Sequence, residues 1–190
     1  MSHRSAETVY FTEPGESNSE ATLRLAQQRA EALGIRSIVV ASTRGVTGVK
    51  ATERFAGCNV VVVPHHTGFK GPDVQELTPE NRAAIQANGG QILITSHALG
   101  SLGRAVRRKF NTYQVDEIIA ATLKLFGQGT KVAVEIAIAA ADAGLVSVAE
   151  DVIAIGGSGR GADTALVLQP ANVFDFFNVK VKEIICKPRL

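Results

Sequence analysis

At 190 residues with 45% apolar content, the chain is long enough for one well-cored domain and short for two. Its 20 basic and 18 acidic residues nearly cancel, leaving no sequence-wide electrostatic footprint for nucleic acid or a membrane surface. The segment Met1 to Glu7 lacks an apolar signal core, and Glu135 and Asp142 interrupt the most apolar long stretch, so neither a signal peptide nor a membrane span is expected.

Val9 to Phe11 predicts a short strand. Asn18 to Leu33 predicts a helix, with Asn18 or Ser19 as cap, Gly34 as stop, and Leu23, Ala26, Ala30 and Leu33 as its apolar stripe. Ser37 to Ala41 reads as a buried strand, Thr47 to Phe55 as a helix, and Val60 to Val63 as a second buried strand. Thr78 followed by Pro79 has the form of a helix start, and that helix should run to Asn88 before Gly89 and Gly90. Gln91 to Ile94 is the next strand. Helices follow near Leu99 to Lys109, Val115 to Phe126 and Thr130 to Ala143. The last is apolar almost all round and so should be covered on both sides. A glycine-rich turn between Val152 to Ile155 and Thr164 to Gln169, then Lys180 to Lys187, closes the chain.

Early alternation of strands and helices predicts an α/β fold with a mostly parallel sheet, helices on both faces, and antiparallel edge strands from the final hairpin. One domain should span residues 1–190. In such sheets ligands bind outside the carboxyl ends of the strands, at the topological switch point. The loops at those ends are therefore where function should lie.

The most distinctive loop is Gly156-Gly157-Ser158-Gly159-Arg160-Gly161-Ala162-Asp163. Glycines bring backbone N–H groups close to a ligand and an arginine fork matches phosphate oxygens, so the pattern points to an anion site. Gly157, Gly159 and Ala162 also fit the G-x-G-x-x-G/A dinucleotide fingerprint. That motif requires a helix next, whereas Thr164 to Pro170 reads as a returning strand. A glycine hairpin is the better reading, and a turn that binds nothing stays open.

After Ser37 to Ala41, the loop Ser42-Thr43-Arg44-Gly45-Val46-Thr47-Gly48 opens into a helix, combining hydroxyls with the free N–H groups of a helix start. A phosphate site and an ordinary capped turn are both consistent with it. After Val63, the loop Pro64 to Pro72 contains His65, His66, Thr67, Gly68 and Phe69, a mixture suited to covering a planar ligand. His65, His66 and His97 could suggest a metal, but no matching Asp, Glu or Cys spacing supports zinc, and no metal is expected. Arg104, Arg107, Arg108 and Lys109 could reach phosphates or form a solvated basic face. Glu135 needs a partner if buried, either an arginine or a ligand. Cys58 and Cys186 form no C-x-x-C pair and read as buried reduced thiols, which fits a cytosolic protein. No catalytic set is visible: there is no Gly-x-Ser-x-Gly elbow, and scattered Ser and His residues make no triad without geometry.

The Ser42-Thr-x-Gly-x-Thr loop, followed late in the chain by Glu150-Asp-Val-Ile-Ala-Ile-Gly-Gly-x-Gly, resembles the C-terminal α/β domain of pyruvate kinase. Tyr10-Phe-x-x-Pro-Gly15, His66-Thr-Gly-Phe69, Gly161-Ala-Asp-Thr164 and Glu183-Ile-Ile-Cys186 are similar to free-standing relatives of that domain in archaea and bacteria, over nearly the whole chain. The resemblance implies a three-layer α/β sandwich that binds flavin mononucleotide (FMN). Ser42, Thr43, Gly45 and Thr47 match its phosphate loop by position, while Arg44 and Val46 depart from it. Pyruvate kinase activity is not implied, because the catalytic barrel has no counterpart in these residues. Two functions follow as expectations: an FMN-binding protein, with redox chemistry as an extension, or a non-catalytic sensor of a phosphorylated metabolite. An assembly module is the third reading, and the oligomeric state stays open, a homo-oligomer included.

Overall fold

The computed structural model describes His3 and residues 5–189. Seven strands form one sheet: β1 (Val9–Phe11), β2 (Ser37–Ala41), β3 (Asn59–Val63), β4 (Gln91–Ile92), β5 (Val152–Gly156), β6 (Thr164–Gln169) and β7 (Lys180–Pro188). Their order across the sheet is β1-β7-β6-β5-β2-β3-β4. Pairing is parallel at β1/β7, β5/β2, β2/β3 and β3/β4, and antiparallel at β5/β6 and β6/β7. The sheet is thus mostly parallel, with its antiparallel pairing confined to the side built by the closing hairpin.

Six helices flank it: α1 (Ser19–Leu33), α2 (Val46–Arg54), α3 (Pro79–Ala87), α4 (Leu102–Phe110), α5 (Val115–Leu123) and α6 (Gln128–Asp142). The period-2 alternation of the strands divides the core. Ile38, Val40, Val60, Val62, Ile153 and Ile155 face one way and pack with Leu23 and Ala26 of α1, Ala51 of α2 and Ile85 of α3. Val39, Val61, Val152, Ala154, Leu166 and Leu168 face the other way, against Ala133, Ala137 and Ile138 of α6. This is the three-layer arrangement, and α6 is buried around nearly all of its circumference as its composition requires. Among the described residues no helix is long and apolar enough to cross a membrane.

Local chemistry sets the boundaries. The Thr78 side chain accepts the Asn81 N–H at 3.3 Å and starts α3, and Gly34 ends α1 at φ 69°. Two segments are shorter than their apolar runs. β4 stops at Ile92, although the Leu93 N–H still reaches the Val62 carbonyl at 2.9 Å. α4 begins at Leu102 because the Leu99 N–H is drawn to Glu135 and Gly100 has φ 146°, outside any helix. Cys186 is fully buried, and burial pushes its thiol up to about 11; Cys58 is only half-buried, so the buried-thiol reading holds for one of the two.

Candidate functional site

Strand order reverses between β2 and β5: from β2 the chain winds outward through β3 and β4, then returns to place β5 on the other flank. A cleft of about 440 Å³ opens there, outside the carboxyl ends of β2, β3 and β5. The β2–α2, β3–α3, β4–α4 and β5–β6 loops and the cleft-facing side of α6 wall it.

The β2–α2 loop contributes Ser42, Thr43, Arg44 and Thr47. Ser42 is buried and its Oγ accepts the Gly48 N–H at 3.0 Å, so this hydroxyl holds the first turn of α2 in place. Gly45 precedes α2 at φ 96° and is packed against Leu77 and Asn81, away from the cleft. Thr43 and Thr47 line the cleft beside the helix start, whose unpaired N–H groups and dipole favour negative charge.

From the glycine turn, Gly157, Gly159, Arg160 and Gly161 face the same space. Gly159 and Gly161 sit at φ 96° and 70°, a conformation that L side chains rarely adopt. Asp163 is fully buried with its carboxylate turned inward: it accepts N–H bonds from Gly15 at 2.9 Å and Ser158 at 3.1 Å, and the Thr164 hydroxyl at 2.8 Å. The Ala162 N–H is taken by Ser19 Oγ at 3.0 Å. Ser158, Ala162 and Asp163 therefore brace the turn from behind. Asp163→Ala would leave three donors without their acceptor, and we expect a loss of about 2–4 kcal/mol in urea unfolding; unchanged stability would show that the brace does not form.

The opposite wall is aromatic. Phe69 and His97 stack at 5.2 Å between centroids and 11° between planes, and His65 packs on Phe69 at 4.0 Å. Arg104 lies over the Phe69 ring at 5.7 Å and lines the cleft, whereas Arg107 pairs with Glu117 at 2.8 Å. His66, Thr67 and Gly68 form the turn that carries Phe69: the His66 ring meets Phe69 edge-on at 5.6 Å, Thr67 Oγ1 accepts from Gln75, and the Gly68 N–H reaches the Val74 carbonyl at 3.0 Å.

A charged floor completes the cleft. Glu135 on α6 accepts from Lys131 Nζ at 2.5 Å and from the Leu99 N–H at 2.9 Å, with His97 Nδ1 at 3.4 Å. Burial alone would push this carboxyl up, but the His97 hydrogen bond and the Lys131 charge outweigh it and hold it at about 2. A second histidine has a glutamate of its own: His65 Nδ1 meets Glu76 Oε2 at 2.8 Å, and His65 Nε2 stands 3.4 Å from Thr43 Oγ1. Among the described residues, no group of three or more His, Cys, Asp or Glu is arranged to hold a metal ion.

Residues 20–168, which include the β2–α2 loop, all of α6 and the glycine turn, match the family model described as pyruvate kinase, alpha/beta domain. The chain belongs to that family. Among solved structures, the O-ureido-L-serine-bound form of a mutant O-ureido-L-serine synthase aligns at TM-score 0.32 and 20% identity, covering 57% of this chain and 38% of that one. The chain thus spans well under half of that enzyme, and nothing about the site is drawn from it.

In this pyruvate kinase alpha/beta domain, the sequence-selected residues converge only in part. Thr43, Thr47, Phe69, Gly157, Gly159, Arg160 and Gly161 meet in the cleft, with Ser42 at its edge. Gly45, His66, Thr67, Gly68, Gly156, Ser158, Ala162 and Asp163 support it from outside. His65 and His97, noted in the sequence only as histidines without a metal-ligand spacing, line the cleft with Glu135, and two residues enter unannounced: Lys131 beside Glu135 and Glu76 behind His65. The Lys131–Glu135 pair was visible as an i,i+4 spacing on a helix. The Glu76–His65 pair had no local signal.

Proposed function

We propose that the cleft binds a phosphorylated small molecule bearing a planar ring, and that FMN is that molecule. One observation carries the reading. A single cleft brings together the start of α2 with Arg44 and Arg160 nearby, and a stacked Phe69–His97 platform. Its volume of about 440 Å³ suits a ligand of this size. Thr43, Thr47, the first turn of α2 and Arg160 would hold the phosphate, and Phe69 and His97 would carry the ring. Bound flavin would supply hydride or electron chemistry; the protein would supply orientation, electrostatics and exclusion of water.

Identification of the small molecule that copurifies is the direct test. A yellow protein whose thermal midpoint rises with added FMN supports the proposal, because a ligand that binds only the native state raises its stability. Colourless protein that does not respond to FMN would refute it. A larger response to a sugar phosphate or nucleotide would instead mark a metabolite sensor. Arg160→Ala should weaken FMN about ten-fold in a titration while leaving the fold intact, since Arg160 is exposed at the tip of the glycine turn. Unchanged affinity would remove Arg160 from the site.

A further inference from the structure

No catalytic set is visible in the order of the residues, yet folding assembles one. Thr43 Oγ1 lies 3.4 Å from His65 Nε2, and His65 Nδ1 lies 2.8 Å from Glu76 Oε2. Hydroxyl, imidazole and carboxylate thus form a chain in the order that activates an alcohol: nucleophile, base, and the acid that orients the base. The hydroxyl–imidazole separation is looser than a tight hydrogen bond, as is common in such pairs before substrate binds.

The surroundings fit the same task. Thr43 sits in the turn between the interior strand β2 and α2, and the N–H groups at the helix start are the donors needed where negative charge develops on a carbonyl oxygen. Gln75 fixes the base from behind: its Nε2 donates to the His65 carbonyl at 3.1 Å and its Oε1 accepts the Leu77 N–H at 2.9 Å, which bridges the two ends of the loop and brings Glu76 to the ring. Thr43 and His65 both line the cleft, and so do Arg44, Arg104 and Arg160. A substrate with a negative charge would be favoured there.

We propose that Thr43, His65 and Glu76 constitute an acyl-transfer site that hydrolyses small carboxylic esters carrying an anionic group. His65 Nε2 takes the Thr43 proton as Oγ1 adds to the ester carbonyl carbon. The imidazolium, held by Glu76, returns that proton to the leaving alkoxide as the C–O bond breaks, leaving an acyl ester on Thr43. Water, deprotonated by the same His65, attacks the acyl carbon; the Thr43–acyl bond breaks, and Oγ1 regains its proton. The sum is ester plus water giving acid plus alcohol, with no co-reactant. Thr43 and His65 are the catalytic residues and Glu76 is a positioning residue. The activity uses the cleft assigned to FMN but does not require flavin, so FMN should compete with ester.

The test is acylation of the full chain by p-nitrophenyl acetate, read as a nitrophenolate burst and as an acetyl group located by peptide mass spectrometry. One acetyl on Thr43 is expected. Thr43→Val should abolish the burst, while Thr43→Ser, which keeps a hydroxyl, should preserve it. His65→Asn should slow acylation by roughly 10²–10⁴-fold. Glu76→Gln should lower the acylation rate at an unchanged half-saturating ester concentration. 4-Acetoxybenzenesulfonate should acylate faster than neutral phenyl acetate by a ratio well above the ratio of their rates with hydroxide, which carries the difference in leaving group. An undiminished burst in Thr43→Val, or acetyl found only on lysines or other histidines, would overturn the site; a charged-to-neutral rate ratio no larger than that with hydroxide would overturn the anionic preference. Normal thermal unfolding of each variant separates chemistry from misfolding. FMN binding without acylation would sink this inference alone, and acylation without FMN binding would sink only the flavin reading.

Discussion

Replacing Lys131 with methionine should destabilise the fold by about 3–5 kcal/mol, measured by urea unfolding at neutral pH. Both partners of the Lys131–Glu135 pair are nearly inaccessible, with side chains 8% and 6% exposed. Methionine preserves the volume and the helix, so the loss would come from an uncompensated carboxylate on α6. The Leu99 N–H and His97 would remain to it, which keeps the effect from being larger. Lys131→Met combined with Glu135→Gln should recover most of the loss, because no charge is then buried alone and the amide oxygen still accepts the Leu99 N–H. A single variant within about 1 kcal/mol of the parent would mean that water reaches the pair.

The same pair predicts an acid limb. The Glu135 carboxyl lies below its ordinary value of 4.5, at about 2, in the folded protein. A depressed carboxylate pKa means that the unfolded chain binds the proton more readily. Its stabilisation is therefore complete above about pH 4.5 and is lost as pH falls toward 2. The amount at stake is roughly 3 kcal/mol. Urea midpoints between pH 6 and pH 2 should show this decline, and Glu135→Gln should flatten it.

The strands were legible because four or five consecutive β-branched or small apolar residues admit little else. Ser37–Ala41 matches β2 end to end, and Val60 to Val63 misses only Asn59 of β3. The helix boundaries that shifted did so where tertiary partners captured the backbone. Leu99 would have joined α4 on pattern alone, but Glu135, 36 positions on, accepts its N–H. The anion side of the cleft was legible for a related reason: hydroxyls, glycines and arginines cluster within single loops. The histidine–glutamate side was not. Glu76 reaches His65 only because residues 64–78 fold back on themselves, with Asp73 at φ 59° and Gly68 at φ 89°, a path that no periodicity encodes. Glu135 was legible in part: a carboxylate in an almost wholly apolar helix calls for a partner, but the partner is Lys131 one turn earlier instead of an arginine, with the Leu99 N–H and His97 arriving from outside the helix.

The glycine cluster itself divides by the job each residue does, and Gly156→Ala tests that division. Gly156 ends β5 with ordinary backbone geometry, so its φ does not demand glycine. Its demand is space. A Cβ there would press into the Gly129 carbonyl oxygen at the start of α6 and lie 3.1 Å from the Ala133 nitrogen. Both obstacles are backbone, so no side chain can swing aside; either α6 lifts from the sheet or the β5–β6 hairpin bends. We expect a loss of about 3 kcal/mol in unfolding free energy, at the upper end of overpacking costs because the contact is with a helix packed on the sheet. Gly159→Ala makes the contrast. That residue has φ 96° but nothing within 4 Å of an added Cβ, so only backbone strain of about 1 kcal/mol is expected. If the two alanines cost the same, the close approach of β5 and α6 does not hold in solution. If Gly156→Ala costs markedly more, Gly156 is the packing glycine that brings α6, with Lys131 and Glu135, against the sheet, and Gly157, Gly159 and Gly161 remain as the glycines that border the cleft.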